Sequence, residues 1–367
     1  MPTPPPSDSA QETPRNNRRR SPNRPRQDDP WEDNTSYDSP LNDNQTPTGP
    51  ARTLRMTIPT RPFLKPPSLP PPVKRSTLEL LQKPVNFVPT IRSHFRDNMQ
   101  ETYNSISDIA DGEKFIPNAA QKELEVSDEE IRSRYLLDHP DNETLSYMEE
   151  HAALVKIKEA AVSHVHGPLL ELAFKRFESV NREILTHARI SPPFIPEMRT
   201  DSLYDIMRYK MIVRGTTVRP SASTAQHISQ VIDALPHEKR SINQTPYGPV
   251  GNDPIAVPME TKIASGLIEE ARIQLALWVA TCHKRMGALR TSEEQIITSP
   301  MIMVMENAWK LMFAFDQGNA IHIAEQIRIG ETSNLVGLYR IVGILRELAL
   351  RMETEFVTWL ERWLGVG

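Results

Sequence analysis

Between Ser333 and Leu364 apolar residues recur on a heptad. Leu335, Val342, Ala349, Phe356 and Trp363 fill one core position, and Leu338, Leu345, Met352 and Trp359 fill the other. Arg340, Glu347, Thr354 and Glu361 form the opposite, polar stripe. This spacing predicts one long helix whose seam has to be buried. Ile341, Ile344 and Leu348 widen the seam in its first half, which is therefore expected to be covered on more than one side.

Helical spacing is also read along most of the chain before it. Ser76 to Glu79 forms a capping box, and patterns follow from Arg92 to Ala110, from Ser127 to Leu137 and from Asp141 to Ala161. Gly167-Pro168 opens a helix with Leu169, Leu172, Ala173, Phe177, Val180 and Ile184 on one face. The proline-rich stretch from Ile190 to Pro196 reads as a hinge. The β-branched run from Ile212 to Val218 reads as a hairpin arm or extended loop, and Ser223 to Leu235 as helix. Pro236 to Pro258 reads as a long loop, with Pro258 in the first turn of the next helix. That helix carries the stripe Ile263, Leu267, Ala271, Leu275, Trp278, Cys282, Met286 and Leu289. Ser299-Pro300 starts another, with Met301, Val304, Met305, Ala308, Met312 and Phe315, and a short helix closes at Gly330. The expectation is an all-α protein with a two-lobed helical core. Residues 76–198 form one lobe and 199–367 the other, with the helices at 259–290 and 300–316 covering the terminal seam.

Composition adds a third region. Eighteen of the 33 prolines lie in residues 1–75, mixed with Ser, Asn, Asp and Arg. Such a segment buries too little apolar surface to offset its chain entropy, so a disordered basic arm is expected. Its Arg18, Arg19 and Arg20 suit sequence-independent contact with phosphates, and its proline-rich end suits a protein partner. The single cysteine, Cys282, excludes an intrachain disulfide and a cysteine-rich zinc site. The start lacks a signal-peptide pattern, and no run of eighteen apolar residues occurs, so an intracellular protein, cytoplasmic or nuclear, with no membrane partner is expected.

The chain shows no glycine-rich phosphate loop, nucleophile elbow or HExxH motif. Cys282-His283 reads as a buried small side chain beside a surface histidine, and Glu149-Glu150 and Glu269-Glu270 as solvated helix faces. No enzyme, metal or cofactor is expected. One constellation stands out: Arg199, Arg208, Lys210, Arg214, Arg219, Lys239 and Arg240, with Tyr209 among them. Basic side chains at the junction of two lobes suit a phosphate backbone, and a tyrosine suits stacking on bases.

A flexible arm on a helical, cysteine-poor core resembles the architecture of viral nucleoproteins and filament coat proteins. That resemblance implies a non-enzymatic, self-associating nucleocapsid protein, possessing an RNA partner with DNA left open, and a place inside a viral particle. The alternative is an oligomeric scaffold that associates through the terminal helix and recruits partners through the proline-rich tail.

Overall fold

The structure, a computed structural model, describes residues 74–90, 95, 97–126, 130–137, 144–160, 162–198, 212, 214–262 and 268–366. The arm at 1–73, Arg18, Arg19 and Arg20 included, lies outside them.

The helices are α1 (Arg75–Glu79), α2 (Asp97–Ala110), α3 (Gln121–Val126), α4 (Thr144–Glu159), α5 (Val162–Phe174), α6 (Ala222–Asp233), α7 (Ile268–Ala288), α8 (Leu335–Arg351) and α9 (Val357–Leu364). The strands are β1 (Val85–Val88), β2 (Val180–Ile184), β3 (Arg214–Val218), β4 (Ile255–Lys262), β5 (Ser299–Met305), β6 (Ala308–Asp316) and β7 (Ile321–Glu331). They form one seven-stranded sheet in the order β1-β7-β6-β5-β4-β3-β2. β1 runs parallel to β7 and β4 parallel to β5, and the other neighbours are antiparallel. The protein is therefore α/β, not all-α.

The correction has a clear physical origin in β5 and β6. Both faces of this part of the sheet are covered. Met301, Met303 and Met305 enter the apolar cluster under α7, while Ile302 and Val304 enter the cluster under α8. A strand buried on both sides is a continuous apolar run, and periodicity cannot separate it from a buried helix. The hairpin between β5 and β6 turns on Glu306 and Asn307, with Glu306 at φ 55°, so the usual Asn-Gly signal is missing. The expected helix up to Gly330 is the strand β7, and the apolar face through Val180 and Ile184 is split between α5 and β2.

The terminal helix stands as read. α8 continues through one π-helical turn, Met352–Phe356, into α9, and all nine heptad core residues are buried. Its cover is different from the expectation. α8 packs on β7 and on α2, α4 and α5, forming one helical layer, while α7 covers β4 and β5 from the other face. Close docking of α8 depends on Gly337, where a Cβ would run into the Glu331 carbonyl of β7.

Candidate active site

β4 places two charged residues where a core strand normally carries none. Glu260 and Lys262 are two apart, so they project from the same face of the strand, and Thr261 projects from the other. That face is covered by α7, whose first turn carries Glu269 and Glu270. Lys262 Nζ lies 3.1 Å from Glu260 Oε1 and 2.7 Å from Glu270 Oε1. One turn further along α7, Gln274 Nε2 donates to Glu270 Oε1 at 3.2 Å. The Glu260 side chain is 3% exposed and that of Lys262 14%, whereas Glu270 is 42% exposed. The cluster is thus buried at Glu260 and open at Glu270.

Removing a carboxylate and an ammonium from water costs several kcal/mol per ion before pairing returns it. An apolar pair of the same volume would serve the core at least as well, which makes a buried ionic pair a marker of chemistry. The pair sits at the carboxyl ends of the parallel strands β4 and β5, the end where open α/β sheets expose their ligand sites. The backbone is fixed there by Glu306 N–H donating to the Lys262 carbonyl at 3.0 Å.

The sequence model of the family described as the PD-(D/E)XK nuclease superfamily matches residues 132–357, more than half of the chain. The chain belongs to the PD-(D/E)XK nuclease superfamily. No curated protein and no solved structure matches it. Membership overturns the reading as a non-enzymatic nucleocapsid or coat protein and the expectation of no enzyme; it makes nucleic acid the partner class.

Glu260-Thr261-Lys262 supplies the (D/E)XK half of the pattern that names the superfamily. For the upstream Asp, Asp253 enters β4 at its far end. Seven positions, at most about 23 Å at ~3.3 Å each, separate it from Glu260, and the strand itself begins at Ile255. Burial raises the Asp253 pKa while nearby Arg219 opposes it. Asp201 and Asp205 lie outside the described residues.

The donors near Lys262 are all hard oxygens, the class that binds magnesium-like cations. Two carboxylates close on the Lys262 ammonium, and Gln274 Oε1 is buried with no hydrogen-bond partner among the described residues. This donor set fits a divalent cation, although among the described residues no group of three or more His, Cys, Asp or Glu comes together.

Of the basic residues singled out in the sequence, Arg199, Arg208, Tyr209 and Lys210 lie outside the described residues. Arg214 opens β3, paired with Met259 next to Glu260 and with Ile184 at the end of β2. It stands near Arg182, and burial followed by that arginine lowers its pKa. Arg182, Arg214, Tyr247 and Pro249 line a cleft of about 350 Å³ at this edge of the sheet. Arg219 follows the other end of β3, beside Asp253. Arg240 Nε caps the end of α6 on the Leu235 carbonyl at 2.9 Å, and the Lys239 carbonyl accepts from Arg285 at 3.1 Å. The structure therefore brings Arg214 to the Glu260 end of the sheet but, like its neighbour Met259, on the face opposite Glu260, and places Arg219, Lys239 and Arg240 elsewhere.

Other readings change as well. His283 is buried, not a surface histidine, because α7 is covered on nearly every side. Glu150 is buried and holds Arg346 at 2.7 Å and 3.1 Å, so it is no solvated face. Sequence reasoning missed Glu260, Lys262, Glu270, Gln274 and Arg182. The available signal was a short apolar run, Ile255 to Met259, ending directly in Glu-x-Lys. Among the described residues, no helix is long and apolar enough to cross a membrane.

Proposed function

We propose that this protein hydrolyses phosphodiester bonds of nucleic acid at the Glu260–Lys262 pair. The observation that carries the proposal is the (D/E)XK element itself. In a chain of this superfamily, it occupies a buried strand end, and its lysine is held by two carboxylates.

Glu260, Glu270 and the Gln274 amide oxygen would hold a divalent cation, which would supply Lewis-acid activation of the phosphoryl group and of water. The chain's own residues do the rest. Lys262 presents N–H donors where negative charge develops on the phosphoryl oxygens. Glu270 and Gln274 fix its position, and the partly exposed Glu270 marks the side from which substrate enters. Water forms the new P–O bond as the old one breaks; one proton leaves the attacking water and one joins the departing oxygen. Arg214 and Arg182, on the opposite face at the β2 edge, suit backbone beyond the scissile bond, and the arginine arm suits added sequence-independent affinity.

The test is cleavage of end-labelled RNA and DNA, single- and double-stranded, by the full chain with Mg²⁺, with Mn²⁺ or with EDTA. Cleavage is expected with a divalent cation, falling about 10²-fold or more in a folded Glu260→Gln variant. Absence of cleavage on every substrate, or cleavage unchanged in Glu260→Gln, overturns the proposal.

A further inference from the structure

The sheet carries a second line of charge on the same face as the active pair. Glu260 on β4 stands opposite Met303 on β5, Met303 opposite Lys310 on β6, and Lys310 opposite Arg328 on β7. Residues paired across strands project to the same face, and Met303 belongs to the cluster under α7. Lys310 and Arg328 therefore share the face of Glu260 and Lys262. At ~4.8 Å per strand, Lys310 lies about 10 Å and Arg328 about 14 Å along this row from Glu260. From above, α7 contributes Arg272, two residues from Glu270 and two from Gln274.

These cations form one group. Burial lowers the Lys310 pKa, and Arg272 and Arg328 lower it further. Arg272 is held by Glu269 at 2.6 Å and Arg328 by Glu331 at 2.6 Å, so both guanidinium groups are oriented. The Lys310 side chain has no hydrogen-bond or ion-pair partner among the described residues, despite being half-buried. A half-buried ammonium between two arginines is an unbalanced charge that an anion would relieve. The row is open to that anion: the Arg328 side chain is 64% exposed.

We propose that Lys310, flanked by Arg272 and Arg328, is a phosphate-binding shelf that holds the nucleic-acid backbone a few phosphates from the bond cut at Glu260–Lys262. The proposal rests on the nuclease reading and adds to it a second backbone contact on β6 and β7, beyond the buried Met303 that separates it from Glu260. Lysine and arginine contacts of this kind go to phosphate oxygens, so the shelf reads the backbone and not the sequence. Arginine forks suit bidentate phosphate contacts and the lysine a point contact.

The experiment is fluorescence anisotropy of a labelled 20-mer, single-stranded or duplex, in EDTA across a salt series. It compares the full-length chain with Lys310→Ala/Arg328→Ala and with an equal-charge control, Lys122→Ala/Lys175→Ala. The shelf variant is expected to bind about 10-fold or more weakly. Its slope of log K against log salt should be shallower by about 1.4 to 1.8, the loss of two phosphate contacts. The control should keep both values, and thermal melting verifies that each variant is folded. In cleavage assays the shelf variant should raise KM while keeping kcat. An unchanged salt slope beside intact, Glu260-dependent cleavage overturns the shelf and leaves the nuclease reading standing. A reduced slope with no cleavage by the wild type supports the shelf and overturns the nuclease reading. Absence of binding by the wild type overturns the shelf.

Discussion

Lys262→Met is the most informative single change. Its Nζ touches Glu260 at 3.1 Å and Glu270 at 2.7 Å, and the Glu260 side chain is only 3% exposed. Methionine keeps the volume of the stem and removes the charge, taking the Lys262 ammonium away from the buried Glu260 carboxylate. Breaking a buried pair from one side costs about 3–5 kcal/mol. Glu270, being 42% exposed, recovers solvent and adds little. Glu260→Gln should cost only ~1 kcal/mol, because Lys262 then keeps Glu270. In the double variant no buried charge is left over, so the cycle should return a coupling of about 2–4 kcal/mol. The assay is thermal unfolding at pH 7 in EDTA. At ~2–4 °C per kcal/mol, Lys262→Met should melt about 6–20 °C below the wild type. A divalent cation should restore part of that loss, replacing the ammonium between the carboxylates, and should do less for the double variant. An unchanged Tm in Lys262→Met, or a double variant as unstable as the sum of the singles, would refute the reasoning.

Three further outcomes are expected. Arg182→Glu/Arg214→Glu should weaken nucleic-acid binding by about 10-fold or more and flatten its salt dependence, read by anisotropy, because the two arginines line one cleft at the Glu260 end of the sheet. His166 is held neutral, its pKa lowered to about 4 by burial and by Arg214. Protonation therefore favours the unfolded chain, and the stability contribution is complete above pH 6.5 and lost as pH falls towards 4. At pH 5 this amounts to ~2 kcal/mol, so His166→Gln should show a shallower loss of Tm between pH 7 and pH 5. Gly337→Ala should destabilise by about 1–3 kcal/mol in denaturant titrations, since its Cβ would meet the Glu331 backbone and lift α8 from β7.

How much was legible is clearest at three places. The heptads from Leu335 to Trp363 were read correctly because a helix covered along one broad face keeps its period in the sequence. β5 and β6 were read as helix because burial on both faces erases the period, and methionine, alanine and leucine fit either state. The active pair was hidden by the same confusion. Pro258 reads as the first turn of a helix, and helical residues two apart point about 200° from each other, which puts Glu260 and Lys262 on opposite sides. On a strand they share a face. Pro258 is tolerated because β4 meets β5 only from Met259 onward, so its missing N–H breaks no ladder there.

By itself the sequence determined what is local: the terminal helix, the single cysteine and the order of apolar and charged residues along the chain. The tertiary structure alone decided which strands became neighbours. Pairing β4 with β5, and β5 with β6 and β7, sets Glu260, Lys310 and Arg328 on one face, although 68 residues of chain separate the first from the last. α7 then brings Glu270 onto Lys262, with Gln274 hydrogen-bonded to Glu270. Register is a long-range property, fixed by which apolar faces can be buried together.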